Sequence, residues 1–237
     1  MKKWISFPRV EGNASRQAHC DLPDHTFERE MSKEGFFGPS AQLYHRHPPT
    51  SWTAIDGPLL PRAFDTSQLQ RRVAHPWDAP VLLSNAHTRI CVWNSSGSMR
   101  SLARNADGDQ LLFLHRGQAE LFCDYGHMNL GEGDYLVLPR GTTWRLQHEK
   151  DLVVLMIEAS GNAFGLPDKG LLGHHAIFDP AMLDTPVIDD SYRAQQNDDP
   201  HQVVVKRHNR LTTIQYPFNP LDTVGWHGDL APVRINW

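Results

Sequence analysis

Residues 133–141 read GDYLVLPRG, and this nonapeptide decides the fold. Gly133 permits a tight turn into a strand. After five intervening residues Pro139 fixes φ at the strand's end, and Gly141 frees the backbone for the next turn. The segments on either side follow the same grammar. APVLLSN (79–85), HTRICVWNS (87–95), DQLLFLHRG (109–117), QAELFCDYG (118–126), TTWRLQ (142–147) and LVVLMIEAS (152–160) each read as a short strand, punctuated by Asn-Ser-Ser-Gly, His-Arg-Gly and Gly-Glu-Gly turns. Strands at this spacing predict an antiparallel sandwich or barrel. A helical reading is poor, because Gly, Pro and Asn interrupt every few residues and the apolar runs are β-branched or aromatic.

The order glycine, five residues, proline, one residue, glycine is the second signature of the cupin barrel. In metal-binding cupins a histidine follows three residues after the last glycine; here that place is held by Trp144. The first signature carries two histidines and a glutamate ahead of a strand ending in glycine. The corresponding strand is DQLLFLHRG, and ARNADGDQ (103–110) ahead of it contains no histidine. A ferrous or zinc centre needs about three N or O side chains converging at roughly 2.0–2.2 Å. The expectation is therefore a metal-free structural cupin. The functional alternative is a pocket bounded by Trp144 and Asp109 that binds an organic ligand without metal.

Before this region, residues 1 to about 65 are rich in Gly, Pro and polar residues, with prolines at 48, 49, 58 and 61 that break any long helix. Aromatics recur there (Phe36, Phe37, Tyr44, Trp52, Phe64) and need a surface to pack on, either the domain or another subunit. This reads as an extended arm. After it, DPAMLDTP and DDSYRAQQN (179–197) suggest short helices, and HQVVVKRHNRLTTIQYPF (201–218) gives two more strands. The final VGWHGDLAPVRINW (224–237) reads as the start of a new unit. The expected divisions are thus 1–79 arm and short strands, 80–160 degenerate metal-free cupin, and 161–237 linker, strands and the start of a further unit.

The 237 residues carry a net charge of −4 with scattered basic side chains, which indicates neither a nucleic-acid nor an anionic-membrane partner. No apolar run approaches the ~18 residues of a membrane span, and the amino-terminal residues lack the apolar stretch of a secretory signal. Cys20, Cys91 and Cys123 show no paired or zinc-type spacing, so buried free thiols in a reducing, cytoplasmic setting are expected.

Fourteen histidines invite a search for metal or acid–base chemistry. His45 and His47 form an HxH that would face one side of a strand, but prolines follow at once and no acidic third ligand is near. His174 and His175 are adjacent, so on a strand they point apart and suit a surface or capping role. His227, in GWHGD between Gly225 and Gly228 with Asp229 beside it, is the candidate general acid/base; the bland reading is a packed loop histidine. No GxSxG or phosphate-loop motif is present.

Taken together, GFFGPSAQLYHRHPPTSW, RNADGDQLLF, LFCDYGHMNLGEGDYLVLPRGTTWRL, GLLGHHAIFDP and YPFNPLDTVGWHGDLAP resemble the homogentisate 1,2-dioxygenase family over nearly the whole chain, from about Trp4 to Trp237. The resemblance implies an all-β pair of cupin-type jelly-roll units, only the second of which holds iron. It implies ring opening of homogentisate by O₂ to maleylacetoacetate in tyrosine and phenylalanine catabolism. It implies one Fe(II) held by two histidines and a glutamate, which leaves open positions for substrate and O₂, trimeric or hexameric assembly, and an acid/base role for the histidine that matches His227. In the family the iron ligands come after the WHG turn, and the sequence given ends ten residues beyond His227. The expectation is a truncated, inactive form whose own chain binds no iron. The competing expectation is a metal-free sandwich that binds a small molecule or another subunit and catalyses nothing.

Overall fold

The structure, a computed structural model, describes residues 4–35, 37–58, 60–69, 71–166 and 179–236. The chain divides into two compact units, Met1–Ala63 and Phe64–Trp237. The first contains one antiparallel hairpin of β1 (Phe27–Glu34) and β2 (Phe37–His45). No described residue before Phe64 is buried, as expected of a two-stranded ribbon with no third strand to form a core.

The second unit is a two-sheet sandwich. Its strands are β3 (Val81–Ser84), β4 (Thr88–Ser95), β5 (Leu102–Asn105), β6 (Asp109–Arg116), β7 (Ala119–Cys123), β8 (Gly126–Leu130), β9 (Asp134–Leu138), β10 (Thr143–Gln147), β11 (Leu152–Ala159), β12 (His201–Arg207), β13 (Arg210–Tyr216) and β14 (Val233–Asn236). One sheet has the order β13-β12-β5-β10-β7-β8 and the other β14-β9-β6-β11-β4-β3. Every pairing is antiparallel except that of β12 with β5. This is the expected cupin-like jelly roll. The core follows from simple alternation: Leu152, Val154 and Met156 of β11 and Leu112 and Leu114 of β6 point inward against Leu121 and Leu146 of the opposite sheet.

The deciding nonapeptide behaves as its residues require. Gly133 and Gly141 both take positive φ, 89° and 92°, a region that a side chain would strain. Gly133 N donates to Leu114 O at 2.9 Å and Gly141 N to Asn105 O at 2.7 Å, so the two turns also tie neighbouring strands together.

The sequence suggests divisions near 80 and 160, whereas the contacts divide the chain between Ala63 and Phe64. The strands after 160 enter the sandwich itself: β12 lies beside β5, and β14, expected to open a new unit, forms an edge strand on β9. Short helical turns occur at Pro180–Met182 and Asp190–Ala194 as expected; the second is helix α1. Strands β5 and β8 have no counterpart in the sequence reading, because LARN and GHMNL are too polar and too short to carry alternation. Among the described residues no helix is long and apolar enough to cross a membrane.

Candidate functional site

The place where a metal-binding cupin presents its late histidine is filled by hydrophobic packing. Trp144, on β10, is fully buried. Its ring meets Trp93 edge-on at 6.4 Å and Trp77 at 6.5 Å, so three indoles plug the interior of the sandwich. Trp93 Nε1 donates to Val73 O and Trp77 Nε1 to Val204 O, both at 2.9 Å, but Trp144 Nε1 has no acceptor. Cys123, beside this plug, is also buried, and burial pushes its thiol up to about 12. Cys91 is half-buried and Cys20 is exposed, which corrects the expectation that all three thiols are buried; all three are free.

The pocket expected between Trp144 and Asp109 does not form. Trp144 faces the interior from one sheet, while Asp109 starts β6 in the other and is spent on the backbone. Its Oδ1 accepts from Arg140 N at 2.8 Å and its Oδ2 from Phe164 N at 3.0 Å.

The rest of the NADGD turn forms a buried ionic tie across the two sheets. Asn105 Nδ2 donates to Glu158 Oε2 at 2.9 Å, and its Oδ1 accepts from Asp107 N at 2.9 Å. Lys206 Nζ on β12 lies 2.6 Å from Asp107 Oδ2 and 2.8 Å from Glu158 Oε2 on β11. The three charged side chains are only 9%, 12% and 10% exposed, in the order Lys206, Asp107, Glu158. Burial opposes ionisation of Asp107. The bonds from Lys206 and from the His208 and Asn209 amides outweigh it, so the carboxyl sits below its ordinary value. Gly108 completes the turn because a Cβ there would lie 2.1 Å from Ala159 O.

A second buried polar group is His127 on β8. Its Nδ1 lies 2.8 Å from Asp189 Oδ2 and its Nε2 3.3 Å from Glu120 Oε1, and its ring stacks on Phe122 at 4.9 Å. Asp189 also caps α1 by accepting from Tyr192 N. Lys206, Glu158 and the His127–Asp189 pair are not signalled by any local motif; only the pairing of distant strands brings their partners together.

His227 lies on an exposed loop. Trp226 before it packs edge-on against Tyr125 at 5.5 Å, which anchors the loop to the sandwich while leaving His227 at the surface. Asp229 borders a groove of ≈ 950 Å³ whose apolar wall is formed by Leu111, Tyr135, Val137, Leu230 and Ile235 on and beside β6, β9 and β14. His47 is exposed in the bend after β2 and His45 half-buried at its end, so the HxH does not sit within one strand. His174 and His175 lie outside the described residues. Among the described residues no group of three or more His, Cys, Asp or Glu side chains is placed to hold a metal ion.

Residues 79–237 match the family model described as homogentisate 1,2-dioxygenase N-terminal. Over 227 residues the chain is 27% identical to a Saccharolobus solfataricus protein that bears a provisional dioxygenase name, covering 88% of this chain and 58% of that protein. It is 32% identical over 135 residues to homogentisate 1,2-dioxygenase of Sinorhizobium fredii (56% of this chain, 29% of that protein) and 29% identical over 151 residues to that of Legionella pneumophila (63% and 35%). The chain therefore spans between about a third and three-fifths of the curated relatives it matches. Among solved structures, a cupin-2 domain protein of Shewanella frigidimarina is 17% identical with a TM-score of 0.32, covering 35% of this chain and 80% of that one. A double-stranded β-helix protein of Klebsiella pneumoniae is 18% identical with a TM-score of 0.37, covering 44% and 88%.

Proposed function

Because the chain belongs to the homogentisate 1,2-dioxygenase N-terminal family, we propose that it is the metal-free sandwich portion of an Fe(II)-dependent enzyme that opens the ring of homogentisate with O₂ to give maleylacetoacetate. In that enzyme iron supplies the binding and activation of substrate and O₂. The described residues do not fit an iron centre, so no step is assigned to iron on this chain. The observation that carries the reading is the indole plug. Trp144 occupies the position of the late cupin histidine and is held by Trp77 and Trp93, which fits a unit whose work is architectural.

The surface is consistent with a scaffold that is covered in the complete enzyme. Val224 is 97% exposed, Leu230 60% and Trp226 38%, and Leu230 lines the apolar groove beside β9 and β14. We place the iron ligands, two histidines and a glutamate, in the part of the complete enzyme that covers this surface. His227, held outward by the Trp226–Tyr125 contact, is the proposed proton carrier there. The arm before Phe64 buries none of its described residues, and we assign it to a contact between subunits of a cytoplasmic trimer or hexamer.

The same exposed apolar surface favours one rival, a non-catalytic module that holds another protein. The experiment is to reconstitute the 237-residue chain anaerobically with Fe(II), then measure bound iron and O₂ uptake with homogentisate, alone and fused to the carboxy-terminal part of a homogentisate dioxygenase. The expected result is no stoichiometric iron and no uptake alone, with uptake in the fusion that falls when His227 becomes Ala. Stoichiometric iron in the chain alone overturns the scaffold reading. A folded fusion in which His227→Ala is silent overturns the role given to His227.

A further inference from the structure

At one end of the sandwich the β3–β4 turn, the residues after β9, the end of β11 and the β12–β13 hairpin enclose a polar cleft of ≈ 710 Å³. Three arginines line it: Arg89, Arg140 and Arg207. Asp107 and Glu158 also face the cleft, but both are bonded to Lys206, and Asp107 further accepts the His208 and Asn209 amides. Among the described residues none of the three guanidinium groups has a carboxylate partner, and Arg89 donates only to Asn209 Oδ1 at 2.7 Å. The three lining arginines outnumber the two lining carboxylates, both of which are already bonded to Lys206, on a chain whose net charge is −4.

The cleft is also built rather than casual. The hairpin that carries Arg207 turns through His208 and Asn209, both at positive φ, 50° and 55°, the pattern of a type I′ turn. Asp107 pins those two amides, so the same tie that joins the sheets fixes the hairpin beside Arg89. Hydroxyls of Ser84 and Thr88 add neutral donors to the lining. Unpaired guanidinium forks with hydroxyl donors match the planar oxygens of carboxylate and phosphate.

We propose that this cleft binds a small doubly charged oxyanion, a dicarboxylate or inorganic phosphate, at a site separate from the His227 loop and from the indole plug. The charge excess sets the preference for a dianion over a monoanion, and the three arginines supply the bidentate contacts.

The test is isothermal titration of the 237-residue chain with succinate, inorganic phosphate and acetate, with ionic strength fixed by sodium chloride. Succinate or phosphate should bind at least about tenfold more tightly than acetate. Arg140→Gln and Arg207→Gln should each weaken that binding about tenfold, whereas Arg207→Lys should retain part of it. Melting without ligand checks that each variant remains folded. Succinate binding more tightly than phosphate assigns the site to dicarboxylates, and the reverse order assigns it to phosphate. Equal binding of acetate and the dianions, or folded glutamine variants that bind like the parent chain, overturns the proposal.

Discussion

Replacing Lys206 by Met tests whether the buried tie holds the two sheets together. Asp107 and Glu158 are 12% and 10% exposed, so removing the cation leaves two poorly solvated carboxylates without the counter-ion bonded to them. Breaking a buried pair from one side costs about 3–5 kcal/mol. At roughly 2–4 °C per kcal/mol for a domain of 150–250 residues, melting should fall by about 6–20 °C. Urea unfolding followed by the fluorescence of the buried tryptophans reads the same loss as a lower midpoint. The pH dependence has a definite sign. In the parent chain the carboxyl of Asp107 lies below its ordinary value of 3.8, so its contribution is complete above that pH and is lost as pH falls below it. In Lys206→Met, Asp107 keeps the burial that opposes its ionisation and loses the bond and attraction of Lys206, so the penalty is complete near neutrality and shrinks on acidification. The two stability curves should converge only as pH falls below 3.8, where the parent loses the contribution of Asp107. The triple variant Lys206→Met, Asp107→Asn, Glu158→Gln should recover most of the loss, because the amides need no counter-ion. A Lys206→Met chain within about 1 kcal/mol of the parent at pH 7, or a penalty unchanged by acid, would refute the reasoning.

Trp144→His restores the cupin consensus residue but empties part of the indole plug; the expected result is a loss of about 3 kcal/mol with no tight Fe(II) binding, measured by urea unfolding and metal analysis. Asp189→Ala removes both the cap on α1 and the partner of His127, and should cost about 1–3 kcal/mol in the same unfolding assay, with a smaller loss for Asp189→Asn, which keeps a capping oxygen. His227→Ala, on an exposed loop, should leave the melting temperature of the 237-residue chain within the change expected for about 0.5 kcal/mol, so that any effect on turnover in a complete enzyme reads chemistry rather than folding.

The sequence by itself determined most strands of the sandwich, though not β5 or β8, the jelly-roll family and the occupation of the metal position by Trp144. Those features are local: Gly133, Pro139 and Gly141 impose their turns through their own backbone preferences, and alternation along LVVLMIEAS marks one inward face without knowledge of the partner strand. The family resemblance also singled out NADGD and the WHG turn, but gave the first no physical role. Only the tertiary structure decided that Asp107 and Lys206, 99 residues apart, and Glu158 and Lys206, 48 apart, meet in one buried cluster. It also decided that β12 runs parallel to β5 and that β14 joins the sandwich as an edge strand on β9. Strand register and the solvation of a charge depend on which distant segments pack together, and no short-range preference along the chain encodes either of them.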